Sequence, residues 1–267
     1  MGDNIRRDPE SDLPLSGVGI QIAGGSDSGQ GSQSVAYMHC ITEYLNRARY
    51  ILRSEGAISL LRRLFPYLFS QIFSWEEYYV RQHFVAELNE ADFLPKVKDF
   101  TFKLITSNEM ADDWAKRTGF DFRNQILHAR QRLDAGAIAF CIFIQNHLVH
   151  IGWVGLNQKS KNSINPQPYE VNFSEHQGCV GVGETVPEYR GEGLMAYTWV
   201  HMNNYMKQQG ITMLISIVAT DNVAVYKAHS RFPSIKICAK ARHIKFLWWQ
   251  YWKETPLPEG FKPPMVK

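Results

Sequence analysis

The stretch TVPEYRGEGLMAY, residues 185–197, constrains the fold of this chain more than any other. A strand-like run (178–186, GCVGVGETV) ends at Thr185-Val186-Pro187. Arg190-Gly191-Glu192-Gly193 follows, and a helix-like run from 193 to 209 closes at Gly210. Glycine lets a backbone take conformations that a Cβ forbids and lets it approach a ligand closely. The unpaired N–H groups at a helix N-terminus, together with the helix dipole, favour an anion there. A strand, a glycine turn and a helix in this order therefore predict a phosphate or pyrophosphate site. The pattern is neither GxGxxG after a first strand nor a loop ending in GK[ST], so neither a dinucleotide fold nor a P-loop is indicated.

Around this stretch the chain alternates between strand and helix patterns from about residue 99. FTFKLIT (100–106) reads as a strand, and a helix follows with Asn108 as its N-cap. RNQILHARQRLDAG (123–136) reads as a helix closed by Gly136. AIAFCIFIQNHLVHIGWVGL (137–156) reads as two strands joined at Gln145-Asn146-His147. The polar run 157–177, with Pro166 and Pro168, reads as a loop or a substrate-side excursion. TMLISIVA (212–219) is a strand, NVAVYKAHSRF (222–232) a short helix, and 235–249 strand-like again. The fold class is α/β, with a mixed, mostly antiparallel sheet flanked by helices.

The rest of the chain reads differently. Residues 1–34 are rich in Gly, Ser, Asp and Gln and are expected to be a disordered tail. Residues 35–95 read as a helical, basic amphipathic extension, with Arg47, Arg49, Arg53, Arg62 and Arg63 among apolar residues. It would pack on the domain or on a second subunit, lie on a membrane surface through 45–80, or, as the least favoured alternative, serve as a nucleic-acid arm. The domain proper is expected at 96–267. The sequence LWWQYW (247–252) is expected to close the domain, form an interface or offer a substrate platform, and exposed aromatics there would suit a homodimer.

Of 267 residues, 45% are hydrophobic and 21% charged, and the net charge is +3, too small to argue for a nucleic-acid partner. The cysteines Cys40, Cys141, Cys179 and Cys238 form no CxxC pair, so the expectation is reduced thiols, no metal and a cytoplasmic, or membrane-peripheral, location. No apolar run reaches the roughly 18 residues of a membrane span.

TVPEYRGEGL resembles the signature of the GNAT family of acetyl-CoA-dependent N-acyltransferases, in which such a stretch ends the fourth strand and opens the third helix. IVATDNVAVYKAHSRF (217–232) is similar to the downstream region in which a strand leads to an asparagine and a helix to a tyrosine and a phenylalanine. The resemblance covers residues 100–245, about half the chain. It implies acetyl-CoA, or another acyl-CoA, as co-substrate. Gly183, Glu184 and Thr185 would lie along the pantetheine and thioester. Gly191, Glu192, Gly193, Leu194, Met195 and Ala196 would offer backbone N–H groups to the pyrophosphate, behind Arg190, which would add charge or order the loop. Asn222 matches a residue contacting the cofactor arm, and Tyr226 the tyrosine that acts as general acid. Met195 departs from the Gly or Ala usual in the family. Another departure is His229-Ser230-Arg231-Phe232, where Gly-Phe is commoner.

Acyl transfer from a thioester to an amine needs a base, fixed donors for the oxyanion and a proton for the thiolate. Glu184 is the candidate base, with His150, His176 and His201 as alternatives, and Tyr226 is the candidate acid. The expected function is transfer of an acetyl group directly to a small-molecule amine, such as an amino sugar or an envelope precursor. The alternatives are a peptide or protein N-acetyltransferase and a non-catalytic acyl-CoA-binding module.

Overall fold

The computed structural model describes residues 72–263 apart from Ser230. The expected tail, and most of the amphipathic segment with its proposed membrane contact, lie outside these residues. Among the described residues nine strands form one sheet: β1 (Phe73–Phe84), β2 (Phe100–Ile105), β3 (Ile138–Ile144), β4 (His147–Gly155), β5 (Gln177–Val180), β6 (Glu184–Thr185), β7 (Met213–Ala219), β8 (Ile235–Phe246) and β9 (Trp249–Pro256). The helices are α1 (Asn108–Thr118), α2 (Ala129–Asp134), α3 (Gln158–Ile164), α4 (Leu194–Gln208) and α5 (Val223–His229). The strand order is β2-β3-β4-β5-β7-β1-β8-β9, with β6 beside β4. The β2–β3, β3–β4, β4–β5 and β7–β1 pairs are antiparallel, and β5–β7 is parallel. This is the α/β class that the sequence predicts.

β3, IAFCIFI, is buried on both faces except at its last residue, which is what a continuous apolar run in a central strand requires. It turns into β4 through Gln145 and Asn146, with φ of 49° and 66°, the left-handed pair that a two-residue hairpin demands. One face of the sheet packs Ile151, Trp153, Cys141 and Phe143 against Ala111 of α1, Leu133 of α2, Ile164 of α3 and Phe122, which precedes α2. The other packs Phe140, Val154 and Leu214 against Trp199, Val200 and Met206 of α4. Gly152 allows that approach, since a Cβ there would stand 2.4 Å from Met202 Cε.

Four expectations are corrected. Phe73–Phe84 is a strand, not part of a helical extension. It is inserted between β7 and β8, pairing from Tyr78↔Ala219 to Phe84↔Met213. Both of its faces are covered near Tyr79, Val80 and Arg81, so the polar–apolar alternation that marks a strand is missing. The larger compact unit consequently starts at Trp75, not at 96, and takes in Trp75–His243 and the described residues from Tyr251 onward. Ile244–Gln250 belongs to a second unit, in which the Leu247 N–H donates to Ile72 O at 2.6 Å.

Second, the 157–177 run is not a bare loop. Asn157 and Ser160 form a capping box that starts α3, and Ser160, Lys161 and Ile164 are buried. Third, the 123–136 helix contracts to Ala129–Asp134 behind a 3-10 turn at Phe122–Asn124. Fourth, the cap of α1 is Ser107, whose hydroxyl accepts from Met110 N at 3.3 Å, and Asn108 is already helical. No helix of the described residues is long and apolar enough to cross a membrane.

Candidate active site

β5 sits between β4 and β7 and leaves one of them. Its parallel ladder with β7 runs from Gln177↔Met213 to Cys179↔Ile215 and ends there. The chain continues along β4: Gly181 N donates to Trp153 O at 2.9 Å, and Glu184 and Thr185 face Ile151 and His150. One edge of this segment therefore stays paired while the other opens away from β7. Two of its glycines are imposed by packing. A Cβ on Gly178 would lie 2.9 Å from Leu156 Cδ2, and one on Gly181 would lie 2.7 Å from Ile164 Cβ. Gly183 would meet only Ile151 O, at 3.6 Å, so its small size keeps the opened edge uncovered rather than relieving a clash.

The glycine turn follows. Gly191 and Gly193 have φ of 83° and 88°, left-handed values that an L-residue adopts only with strain. Gly193 caps α4, and no side chain bonds the first-turn N–H groups. The positive end of a 15-residue helix is thus presented with its donors uncapped by side chains. Glu192 O accepts from Lys96 N at 2.9 Å, and Arg190 Nε donates to Thr185 O at 3.3 Å. Of the two roles open to Arg190, ordering the loop is the one its contact performs. Leu194 and Ala196 are buried, and Met195 is half-buried.

Tyr226 lies on α5 and reaches back over the end of β7, donating its hydroxyl to Ala219 O at 2.9 Å, with Val218 O at 3.3 Å. Burial pushes this phenol upward while the nearby Arg81 guanidinium pulls it back. The Asn222 side-chain oxygen accepts from Val225 N at 3.2 Å and so holds the first turn of α5. Glu184 is exposed, paired with Ile151 in the ladder and hence on the face that carries Trp153, α2 and α3.

The three histidines separate clearly. His150 is buried beside the signature strand, with Nδ1 2.7 Å from Thr185 Oγ1, and burial lowers its pKa to about 4. His176 is exposed and contributes its carbonyl to Thr212 N at 2.9 Å. His201 stacks on Phe102 with centroids 3.9 Å apart and lies 3.6 Å from Glu90, a packing role on α4.

Two polar groups are not legible in the sequence. Arg81 and His83, on β1, are buried against Ser216 of β7: Arg81 Nε to Ser216 Oγ is 3.2 Å, and His83 Nε2 to the same oxygen is 2.6 Å. Arg81 also reaches His229 Nδ1 at 2.8 Å, one helical turn from Tyr226. Long-range pairing brings these residues together, and no local spacing signals it. The second group is Arg132 on α2, whose guanidinium stands 5.3 Å from the centroid of the Trp153 ring and is drawn electrostatically to Glu184. In sequence, Arg132 is one more arginine on an amphipathic helix.

Residues 166–256 match the family model for the C-terminal region of aralkyl acyl-CoA:amino acid N-acyltransferases. No curated protein matches the chain. Solved structures similar to it include a Drosophila protein (13% identity, 69% of this chain and 56% of that one, TM-score 0.38). A GNAT-family acetyltransferase from Colwellia psychrerythraea is similar at 16% identity, over 65% of this chain and 56% of that one, with a TM-score of 0.39. A third is the glucosamine N-acetyltransferase region of a fungal multi-domain β-N-acetylglucosaminidase (16%, 71% and 23%, TM-score 0.40). The chain thus spans about half the length of the first two. The signature turn and the strand that leaves its neighbour just before it both lie within residues 166–256, the part of the chain that is similar to the acyl-CoA N-acyltransferase family model.

Proposed function

We propose that the chain moves an acyl group from acyl-CoA to the amine of a small molecule by direct transfer, and that the acceptor is an amino acid. One observation carries the reading: β5 parts from β7 after Cys179↔Ile215, directly upstream of a left-handed glycine pair that opens α4. An opened strand edge offers backbone donors and acceptors to an extended amide chain, and the helix end offers N–H groups to a pyrophosphate. An amino acid is preferred to an amino sugar because the matched family description names amino acids as acceptors.

In this reading Glu184 takes a proton from the acceptor ammonium, directly or through water. The freed amine attacks the thioester carbon, forming the C–N bond, and backbone N–H groups near Glu184 and Thr185 hold the oxyanion. The C–S bond breaks as the intermediate collapses, the nitrogen sheds its second proton to solvent, and Tyr226 gives its phenolic proton to the leaving thiolate. Burial keeps Tyr226 protonated through neutral pH, the form a donor needs.

The test follows free thiol release from acetyl-CoA and benzoyl-CoA with glycine, glutamine, glucosamine and a short peptide. Transfer to the free amino acids, cut by ~10²-fold or more in Glu184→Gln and in Tyr226→Phe with donor binding retained, is expected. Faster transfer to the peptide or to glucosamine would overturn the acceptor assignment. Donor binding with no transfer to any amine would leave a binding module in place of an enzyme.

A further inference from the structure

The face of the sheet that carries Glu184 holds a group of hydrogen-bond donors with nothing to donate to. Arg132 Nε and Nη1 are shielded from solvent and have no acceptor, and the indole Nε1 of Trp153, beneath the guanidinium, has none either. Trp153 is wholly buried. A buried donor left unpaired costs about 1–3 kcal/mol, more when charged, and Arg132 carries two of them on one charged group. Burial pushes the Arg132 guanidinium below its usual range, and Glu184 is the anion that offsets this. Yet no hydrogen bond or ion pair joins Arg132 to Glu184: the two attract across the face without contact.

The backbone makes this arrangement durable. Arg132 N donates to His128 O at 2.9 Å, and its carbonyl accepts from Ala137 N at 2.9 Å, so the residue is tied at both ends of α2. The segment before α2 is held by Arg123, which is buried and bonds Asp121 Oδ1 at 2.8 Å and Asn108 Oδ1 at 2.9 Å. The guanidinium is therefore presented from a fixed helix over the same face onto which the ladder turns Glu184.

We propose that Arg132 is a specificity-determining residue that binds the carboxylate of the acceptor while Glu184 receives the proton of its amine. An α-amino acid has its anion and its ammonium on one carbon. It would set the carboxylate on Nη2, the guanidinium nitrogen that is not closed off from solvent, and the ammonium toward the carboxylate of Glu184, which matches the two unlike charges on this face. A plain amine would leave that nitrogen without an anion. The site thus favours carboxylated acceptors over amines of the same size, and this rests on the transferase reading above.

The experiment compares glycine with glycinamide as acceptors for the full chain, using acetyl-CoA and benzoyl-CoA, in wild type, Arg132→Gln and Arg132→Lys. Comparing each acceptor with itself across variants cancels the difference in amine basicity. Arg132→Gln is expected to raise KM for glycine ~10–100-fold, the worth of a charge-assisted hydrogen bond, and to change glycinamide by less than about 3-fold. Arg132→Lys, which keeps the charge and the fold if the Gln variant is unstable, is expected to lose part of the glycine KM effect and to leave kcat close to wild type. Equal losses on glycine and glycinamide, or no loss on either, would overturn the role of Arg132 and leave the transferase reading intact. No turnover of either amine by the wild-type chain would remove the transferase reading, and this inference with it.

Discussion

Replacing Gly193 by alanine separates what the turn does for stability from what it does for ligand. Gly193 sits at φ 88°, and a Cβ there would meet only Pro95 Cα, at 3.7 Å, an ordinary contact. The penalty is therefore backbone strain alone, about 1–2 kcal/mol for an L-residue in the left-handed region. Alanine also restricts the unfolded chain, which returns about 0.4–1 kcal/mol, so the net cost is at most about 1.6 kcal/mol. For a domain of this size that is a fall in Tm of no more than about 6 °C.

Gly210 provides the control. It stands beyond the other end of α4 with φ 74° and nothing within 4 Å of its Cβ, so Gly210→Ala carries a similar backbone cost. Differential scanning calorimetry should find the two variants lowered alike. Titration with acetyl-CoA should then separate them: Gly210→Ala binds like wild type, while Gly193→Ala, which bends the N–H groups at the start of α4 out of line, binds ~10-fold more weakly or worse. Equal affinity in both variants would refute the assignment of this turn to the donor's phosphates.

Other consequences follow from packing and charge. Gly181→Ala would press a methyl onto Ile164, which is buried and cannot swing away; it should cost about 1–3 kcal/mol in urea unfolding, and an unchanged midpoint would contradict the packing. Asp121 is subject to burial, which would raise its pKa, but its bonds to Arg123 outweigh that and hold it below the ordinary carboxylate range. Its stabilisation is thus complete above the unfolded-state pKa and is lost as pH falls through the depressed folded value. Asp121→Asn should therefore lower stability at pH 7 by roughly 1–3 kcal/mol, less than a fully broken buried pair because Arg123 keeps Asp112 and Asn108. It should also flatten the acid limb of a pH–Tm profile; an unaltered limb would show that the pair is not what titrates.

How much of this was readable beforehand depends on how local the cause is. The β3–β4 hairpin and the Gly191–Gly193 turn were legible because their determinants, Gln145-Asn146 and the glycines, lie within a few residues of what they shape. β1 was not. Its Arg81 and His83 are tolerated in a buried strand only because Ser216, His229 and Trp199 arrive from more than a hundred residues away. α3 was missed because its polar composition masks a helix set by one capping box and anchored by Ile164. Arg132 was invisible for a related reason: its significance lies in Trp153 and Glu184, which only the sheet brings beneath it.

The opened strand and the glycine turn are proposed to form one site for acyl-CoA. Calorimetric titration of the full chain with acetyl-CoA, benzoyl-CoA and free CoA, each against its pantetheine counterpart lacking both the pyrophosphate and the nucleotide, addresses it directly. Saturable binding of the CoA forms is expected, one per chain, with affinity falling at least ~10-fold when the pyrophosphate-bearing half is removed. Absence of binding by all three CoA forms, or equal binding of the truncated ligands, would contradict it.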